Sequence, residues 1–359
     1  MIPYGKQDIN QSDIDAVINV LKSDFLTQGP QVPLFEKIVS NYCGVEYGVS
    51  VNSATSALHI ACLALDLGKG DWLWTSPNSF VASANCGLYC GAKVDFVDID
   101  PRTYNLSAKE LEKKLIQAKQ DGKLPKIVIP VHFAGQSCNM KKIHLLSQEY
   151  GFKIITTAEG GMAVTGSEAL KEKMQLFRSH GVTRNKKLMT KESEGGWYYQ
   201  QVALGFNYRM TELQAALGIS QMQRLDEFVA KRHILQKKYD LLLEDLPIIK
   251  PYQDKDSYSA LHLYPIQIDL NSTKKSRKQV FNELRKKNIS VNVHYIPIYS
   301  HPYYEKFDFS NEILPIAENY YNRAISIPLF SIMTSLQQNT VEQALLSIFK
   351  LNNKSETIL

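Results

Sequence analysis

No stretch of this chain stays apolar for the roughly 20 residues a bilayer-crossing helix needs. The start, "MIPYGKQDIN", lacks the basic-then-apolar pattern of a secretion signal, so the expected location is the cytoplasm. The five cysteines are odd in number, and no two stand in the Cys-x-x-Cys spacing of a zinc site. Reduced thiols are expected rather than a disulfide framework, with no metal site. A strong charge of either sign is also missing: 41 basic and 36 acidic residues leave a net +5. Short basic clusters such as "TRNKK" and "LRKKN" read as solvated helix ends, not as a nucleic-acid surface. No internal repeat or low-complexity tract occurs.

What is present is an alternating rhythm. Strand-like "YGVSVN", "WLWTSP", "AKVDFVDID" and "KIVIPVHF" alternate with helix-like "SATSALHIACLALDL", "SFVASANCGLYCG", "SAKELEKKLIQAK" and "NMKKIHLLSQEYG". This order predicts an α/β fold, a parallel sheet covered by helices on both faces. Ligands of such sheets lie at the carboxyl ends of the strands. After residue 151 the rhythm breaks. "KIITTAEGGMAVTGS" predicts a β-hairpin turning at Gly160-Gly161. "MTELQAALGISQMQRLDEFVAKRHILQKKYDLLLEDL" predicts one long helix, opened by a Thr211–Gln214 capping box. Beyond about 258, "LHLYPIQIDL" and "VNVHYIP" read as strands around the helix "SRKQVFNELRKKN". The expected division is a large domain over 1–225, then the connecting helix and a small α+β domain over 226–359.

Several residues could carry chemistry. Ser53, Ala54 and Thr55 stand at a strand-to-helix turn, where free N–H groups and the helix dipole suit a phosphate. Simple capping by Ser53 or Thr55 explains them equally well. Phe80 follows the next strand and could stack on a flat ring, or be an ordinary core aromatic. Asn207 and Arg209 precede a capped helix, as anion-binding groups or as a polar loop. His294 and Tyr295 end a strand-like run, where a hydrogen-bonded interface histidine is the plain alternative; His180 reads as structural. Together with Lys153 these residues outline what pyridoxal phosphate (PLP) requires: a lysine, a phosphate anchor and a ring clamp.

The motifs "LKSDFLTQGPQVPLFE", "NSATSALH", "PNSFVASAN", "ITTAEGGMAV", "LFRSHG", "GFNYRMTELQAALG" and "VHYIPIY" resemble the DegT/DnrJ/EryC1/StrS family of sugar-nucleotide aminotransferases. The resemblance covers nearly the whole chain and implies the type I PLP-transferase fold. It implies a homodimer that takes PLP, glutamate and a nucleotide-linked keto sugar. The motifs most resemble the branch acting at C4 of a UDP-linked 4-keto-6-deoxy-N-acetyl sugar in pseudaminic acid synthesis. By matching position, Lys153 would hold PLP, and Ser53, Ala54 and Thr55 its phosphate. Phe80 would stack on the ring, and Asn207 would reach the partner's phosphate. Tyr4, Asp24, Phe25, Leu26, Thr27, Val293, His294, Tyr295 and Ile296 would line the sugar-nucleotide pocket.

The resemblance breaks at "GFKIITTAEGG". In the family a strand like "GFKII" leads into an "EDASHA"-type segment whose Asp pairs with the pyridine nitrogen. A "FSFH"-type strand comes next, before the lysine and "ITTAEGG". Here the two ends are joined, and the sheet is expected to lack one or two central strands. Lys153 matches the catalytic lysine by the residues after it and a plain strand residue by those before it. Glu159 is the nearest carboxylate. Two functions are therefore carried forward: a sugar-nucleotide transaminase, or a nucleotide-sugar-binding or dimerising remnant. A sugar dehydratase would need a histidine in place of the lysine.

Overall fold

The computed structural model describes residues 1–157, 161–307, 309 and 314–350. Strands β1 (Tyr47–Ser50), β2 (Trp72–Thr75), β3 (Lys93–Phe96), β4 (Ile127–Ile129) and β5 (Lys153–Ile154) come first, separated by helices. Strands β6 (Met162–Thr165), β7 (Val182–Thr183) and β8 (Gln200–Gln201) come next. Strands β9 (Ile248–Ile249), β10 (Tyr264–Ile268) and β11 (Ala324–Ile327) complete the set.

The parallel sheet expected from the rhythm forms in the order β3-β2-β4-β5. Its side chains alternate between two cores, as a period of two requires. Leu73, Ile127 and Ile129 pack with Leu58, Cys62 and Cys86 on one face. Trp74 and Val128 pack with Leu111, Leu115, Ile143 and Phe152 on the other. The helix Met140–Tyr150 feeds β5 through Gly151, whose φ of +79° suits a residue without Cβ. A third core gathers Tyr239, Ile266, Val280, Leu284, Ile325 and Leu345 around β9-β10-β11.

Four expectations need correction. First, β1 is not part of the parallel sheet; it pairs antiparallel with β6, Tyr47 opposite Thr165. Second, among the described residues β5 and β6 do not pair with each other, and Gly160 of the expected turn lies outside those residues. β5 pairs with β4 (Ile127 opposite Lys153) and β6 with β1, so the sheet is split between them. Third, the long helix is two, Glu212–Met222 and Leu225–Leu242. Arg224 at the break turns back to Asp13, at 2.6 Å, and Asp8, at 3.1 Å. Fourth, "VNVHYIP" makes only a single bridge, Asn292 opposite Ser326, and otherwise runs as a loop. The Thr211–Gln214 capping box is present as expected.

Candidate active site

The helix Ala54–Ala64 starts at the carboxyl end of β1 because Ser53 caps it. The Ser53 hydroxyl accepts the Ser56 N–H at 3.1 Å, and the Ser56 hydroxyl donates to Asn52 Oδ1 at 2.7 Å. Ser53 is a cap, as one reading expected, and no hydrogen bond from the Ala54 or Thr55 N–H is seen among the described residues. Asn52 donates its N–H to the Tyr208 carbonyl at 2.9 Å, which ties the turn to the segment of Asn207. Asn207 itself is exposed. Arg178 fastens the other side, donating to Glu36 Oε1 at 2.5 Å and to the Ser50 carbonyl at 2.8 Å.

Phe80 stands in the loop after β2 and is 60% exposed. It lines a cavity of 730 Å³ with Tyr89, Val293, Tyr295, Ile296 and Tyr303. Asn78, which sequence reasoning did not single out, holds that cavity together. Its side chain accepts the Tyr295 N–H at 3.1 Å and donates to the Tyr104 carbonyl at 3.2 Å. Its signal was its place in "PNSF", two residues from the aromatic. The wall is aromatic and apolar with few polar groups, the usual character of a small-molecule pocket.

His294 does not face the cavity as a free imidazole. It is buried, bonded to the Ser326 hydroxyl at 2.8 Å and to Asn292 at 3.3 Å. Burial, with the neighbouring His262, pushes its pKa down to about 4. It is a neutral structural histidine at working pH, the plain alternative of the two. Tyr4 lies against it, ring centres 5.7 Å apart.

Asp24 and Phe25 line a different cavity, of 690 Å³, with Gln31 and Glu212. The buried Glu212 carboxylate accepts the N–H groups of Gln31 at 2.7 Å and Val32 at 3.2 Å. The Glu212 N–H in turn donates to the Leu26 carbonyl at 3.1 Å. Phe25 and Leu26 are half exposed, and Thr27 is exposed. Of the expected sugar-nucleotide residues, Val293, Tyr295 and Ile296 line the cavity of Phe80, Asp24 and Phe25 line the other, and Tyr4, Leu26, Thr27 and His294 line neither.

Lys153 is the most informative position. It is exposed and opposite Ile127, the first residue of β4, so it lies at the amino edge of the sheet. Its own strand meets the carboxyl edge at Thr157, which bridges to Val131. At ~3.3 Å per residue that end is about 13 Å away, beyond the reach of a four-carbon side chain. The register agrees with the residues before the lysine in sequence, not with those after it. Thr156 and Thr157, also not singled out beforehand, follow β5 up to the bridge with Val131. Glu159 lies outside the described residues. Ala54, Thr156, Thr157 and the buried side of His132 line a third cavity, of 440 Å³. Burial lowers the His132 pKa. The described residues thus suit the phosphate end and one ring face of PLP. They do not suit its reactive end, which needs a lysine and an acid at the same strand edge.

Among the described residues no group of three or more His, Cys, Asp or Glu could hold a metal. Nor is any described helix long and apolar enough to cross a membrane.

The model of the DegT/DnrJ/EryC1/StrS aminotransferase family matches residues 7–155 and 150–346. The two matched stretches overlap at the strand of Lys153. The UDP-4-amino-4,6-dideoxy-N-acetyl-beta-L-altrosamine transaminase of Campylobacter jejuni is 34% identical over 385 positions, covering 98% of each chain. The spore coat polysaccharide biosynthesis protein SpsC of Bacillus subtilis is 33% identical over 385 positions, covering 97% of each. These alignments are longer than the 359 residues of the chain, so the relatives carry residues it lacks. Helicobacter pylori PseC, an aminotransferase involved in pseudoaminic acid biosynthesis, superimposes with a TM-score of 0.88. That match is at 27% identity and covers 98% of this chain and 99% of that one.

Proposed function

The chain belongs to the DegT/DnrJ/EryC1/StrS aminotransferase family, and we propose that it serves sugar-nucleotide amination for a surface glycan such as pseudaminic acid. The net reaction moves the amino group of glutamate to C4 of a UDP-linked 4-keto-6-deoxy-N-acetyl sugar. Glutamate leaves as 2-oxoglutarate and the ketone becomes an amine, so the exchange balances. The observation that carries this reading is the match to the Campylobacter jejuni transaminase over 98% of both chains. The aromatic cavity around Phe80 and Tyr295 supports it, as a site for a base or sugar ring.

PLP is the cofactor of this family, and when bound it supplies an electron sink for the amine carbon. In this chain Ser53, Ala54 and Thr55 are the proposed phosphate anchor, with Phe80 against the ring. A homodimer is proposed because Phe25 and Leu26 are half exposed beside a cavity separate from that of Phe80. A second copy covering them would join the two halves of the sugar-nucleotide pocket, with Asn207 of each copy serving the other. A cytoplasmic location fits the substrates.

One observation favours a second reading, a nucleotide-sugar-binding remnant without transamination: Lys153 stands at the amino edge of its strand. A single experiment separates the two. The protein is incubated with PLP, reduced with borohydride and mapped by mass spectrometry, while binding of UDP-N-acetylglucosamine is followed by calorimetry. Label on Lys153 with sugar-nucleotide binding supports the transaminase. Binding without any lysine label supports the remnant. Neither label nor binding overturns both.

A further inference from the structure

The two strands beside the break do not meet. Among the described residues β5 pairs on one side, with β4, and β6 on one side, with β1. The cavity of 440 Å³ lies between them. The helix Ala54–Ala64 contributes Ala57, Leu58 and Ala61 to its lining. β5 contributes Ile154, and β6 contributes Met162 and Ala163. No Asp, Glu, Lys or Arg is among the lining residues described.

Chain geometry bounds the width. Four peptide steps join Thr157, which follows β5, to Gly161 before β6, and span at most ~14 Å. Strands in a sheet lie about 4.8 Å apart, so one absent strand needs about 10 Å and two need over 14 Å. That bound leaves room for no more than one strand. The walls of this gap are the outer edges of β5 and β6, on which no strand pairs among the described residues; backbone N–H and C=O groups in an apolar setting favour a partner. A strand placed there forms ladders on both sides and covers the alanine and leucine side chains of the helix.

We propose that this gap is a strand-binding site that takes one extended, apolar segment of chain supplied from outside this polypeptide. The occupant is argued from the same place in the sequence. The family match divides at 150–155, the strand that ends at the gap. The relatives align over more positions than this chain possesses. Their additional chain belongs where this sheet is open. Main-chain pairing supplies the affinity of such strand addition, and the apolar floor selects the side chains.

The test uses short overlapping synthetic peptides tiling the part of the Campylobacter jejuni transaminase that has no counterpart here. Amide hydrogen exchange of the full chain is followed with each peptide and with its scrambled form. One peptide is expected to slow exchange at residues 154–156 and 162–164 by about tenfold or more, with its scrambled form inert. Ala61→Phe and, separately, Ala163→Leu fill the gap and abolish that protection. The unchanged exchange of β10 in each variant shows that it is folded. Three results overturn the proposal. In one, no peptide protects these amides. In another, protection survives both variants. In the third, the same amides become protected with rising protein concentration alone, which makes a second copy the occupant. None of these readouts depends on transamination, so the proposal and the proposed function fail separately.

Discussion

Two sheets in this molecule face the same problem and solve it differently. The central strand of the C-terminal sheet, β10, is paired on one side with β9 and on the other with β11, and all five of its residues are buried. β5 and β6 should be equally central, yet among the described residues each has one neighbour, and Val164 of β6 is 40% exposed. A strand's burial comes from its neighbours and the layers they carry, not from its own residues. "KII" carries two isoleucines, but with no partner on its open side among the described residues it remains a short edge. The damage stops there. One strand further in, Ile127, Val128 and Ile129 of β4 are fully buried.

The sharpest way to break this comparison is the same substitution in both sheets. Ile266→Ala in β10 removes a side chain with no exposure and leaves a hole, at a cost of about 4 kcal/mol. Ile154→Ala in β5 removes a half-buried side chain that already borders a cavity, at a cost of about 1 kcal/mol. Urea unfolding of each variant measures the difference. Equal costs would mean that β5 is as tightly held as β10 and that the sheet is closed.

This contrast marks where sequence reading succeeded. The turn at Ser53 was legible because a cap and a helix start are decided by adjacent residues. The β-α alternation was legible for the same reason. The cavity around Phe80 was only half legible, since it joins residues 80–89 to 293–304 through Asn78. Lys153 was not resolvable from its surroundings. The residues on its two sides gave opposite assignments, and register against β4 places it at the amino edge of its strand. Register is a property of two segments, and it is the phenylalanine and glycine before the lysine, anchored by the helix Met140–Tyr150, that set it.

A second prediction compares two histidines, one on each side of the division. His294, in the loop beside β11, titrates at about 4 rather than near 6.5, so the unfolded chain binds its proton first as pH falls. Its contribution to stability is fully present above pH 6.5 and is lost as pH falls toward 4. Stability should drop by about 2 kcal/mol between pH 8 and pH 5 on its account. His132, beside the gap, is lowered in the same direction by burial alone. In His294→Gln the drop should shrink to what His132 and the remaining groups contribute. An unchanged pH slope would place the sensitivity at the gap instead.

The smallest expected effect is the most discriminating about function. Ser53 and Ser276 cap helices in the two regions by the same bond, from the N–H three residues on to a serine hydroxyl, at 3.1 and 3.3 Å. Replacing either with alanine should cost about 1 kcal/mol of stability. Stability therefore cannot distinguish them, but phosphate binding can. Ser53 stands at the helix whose first N–H groups, at Ala54 and Thr55, are the proposed anchor, and the loss of its hydroxyl removes both a donor and the local order. Pyridoxal phosphate binding, followed by absorbance, should weaken severalfold in Ser53→Ala and stay unchanged in Ser276→Ala. If both variants bind alike, the turn at Ser53 is a cap and nothing more, and the phosphate end of the site is as vacant of function as the open side of β5.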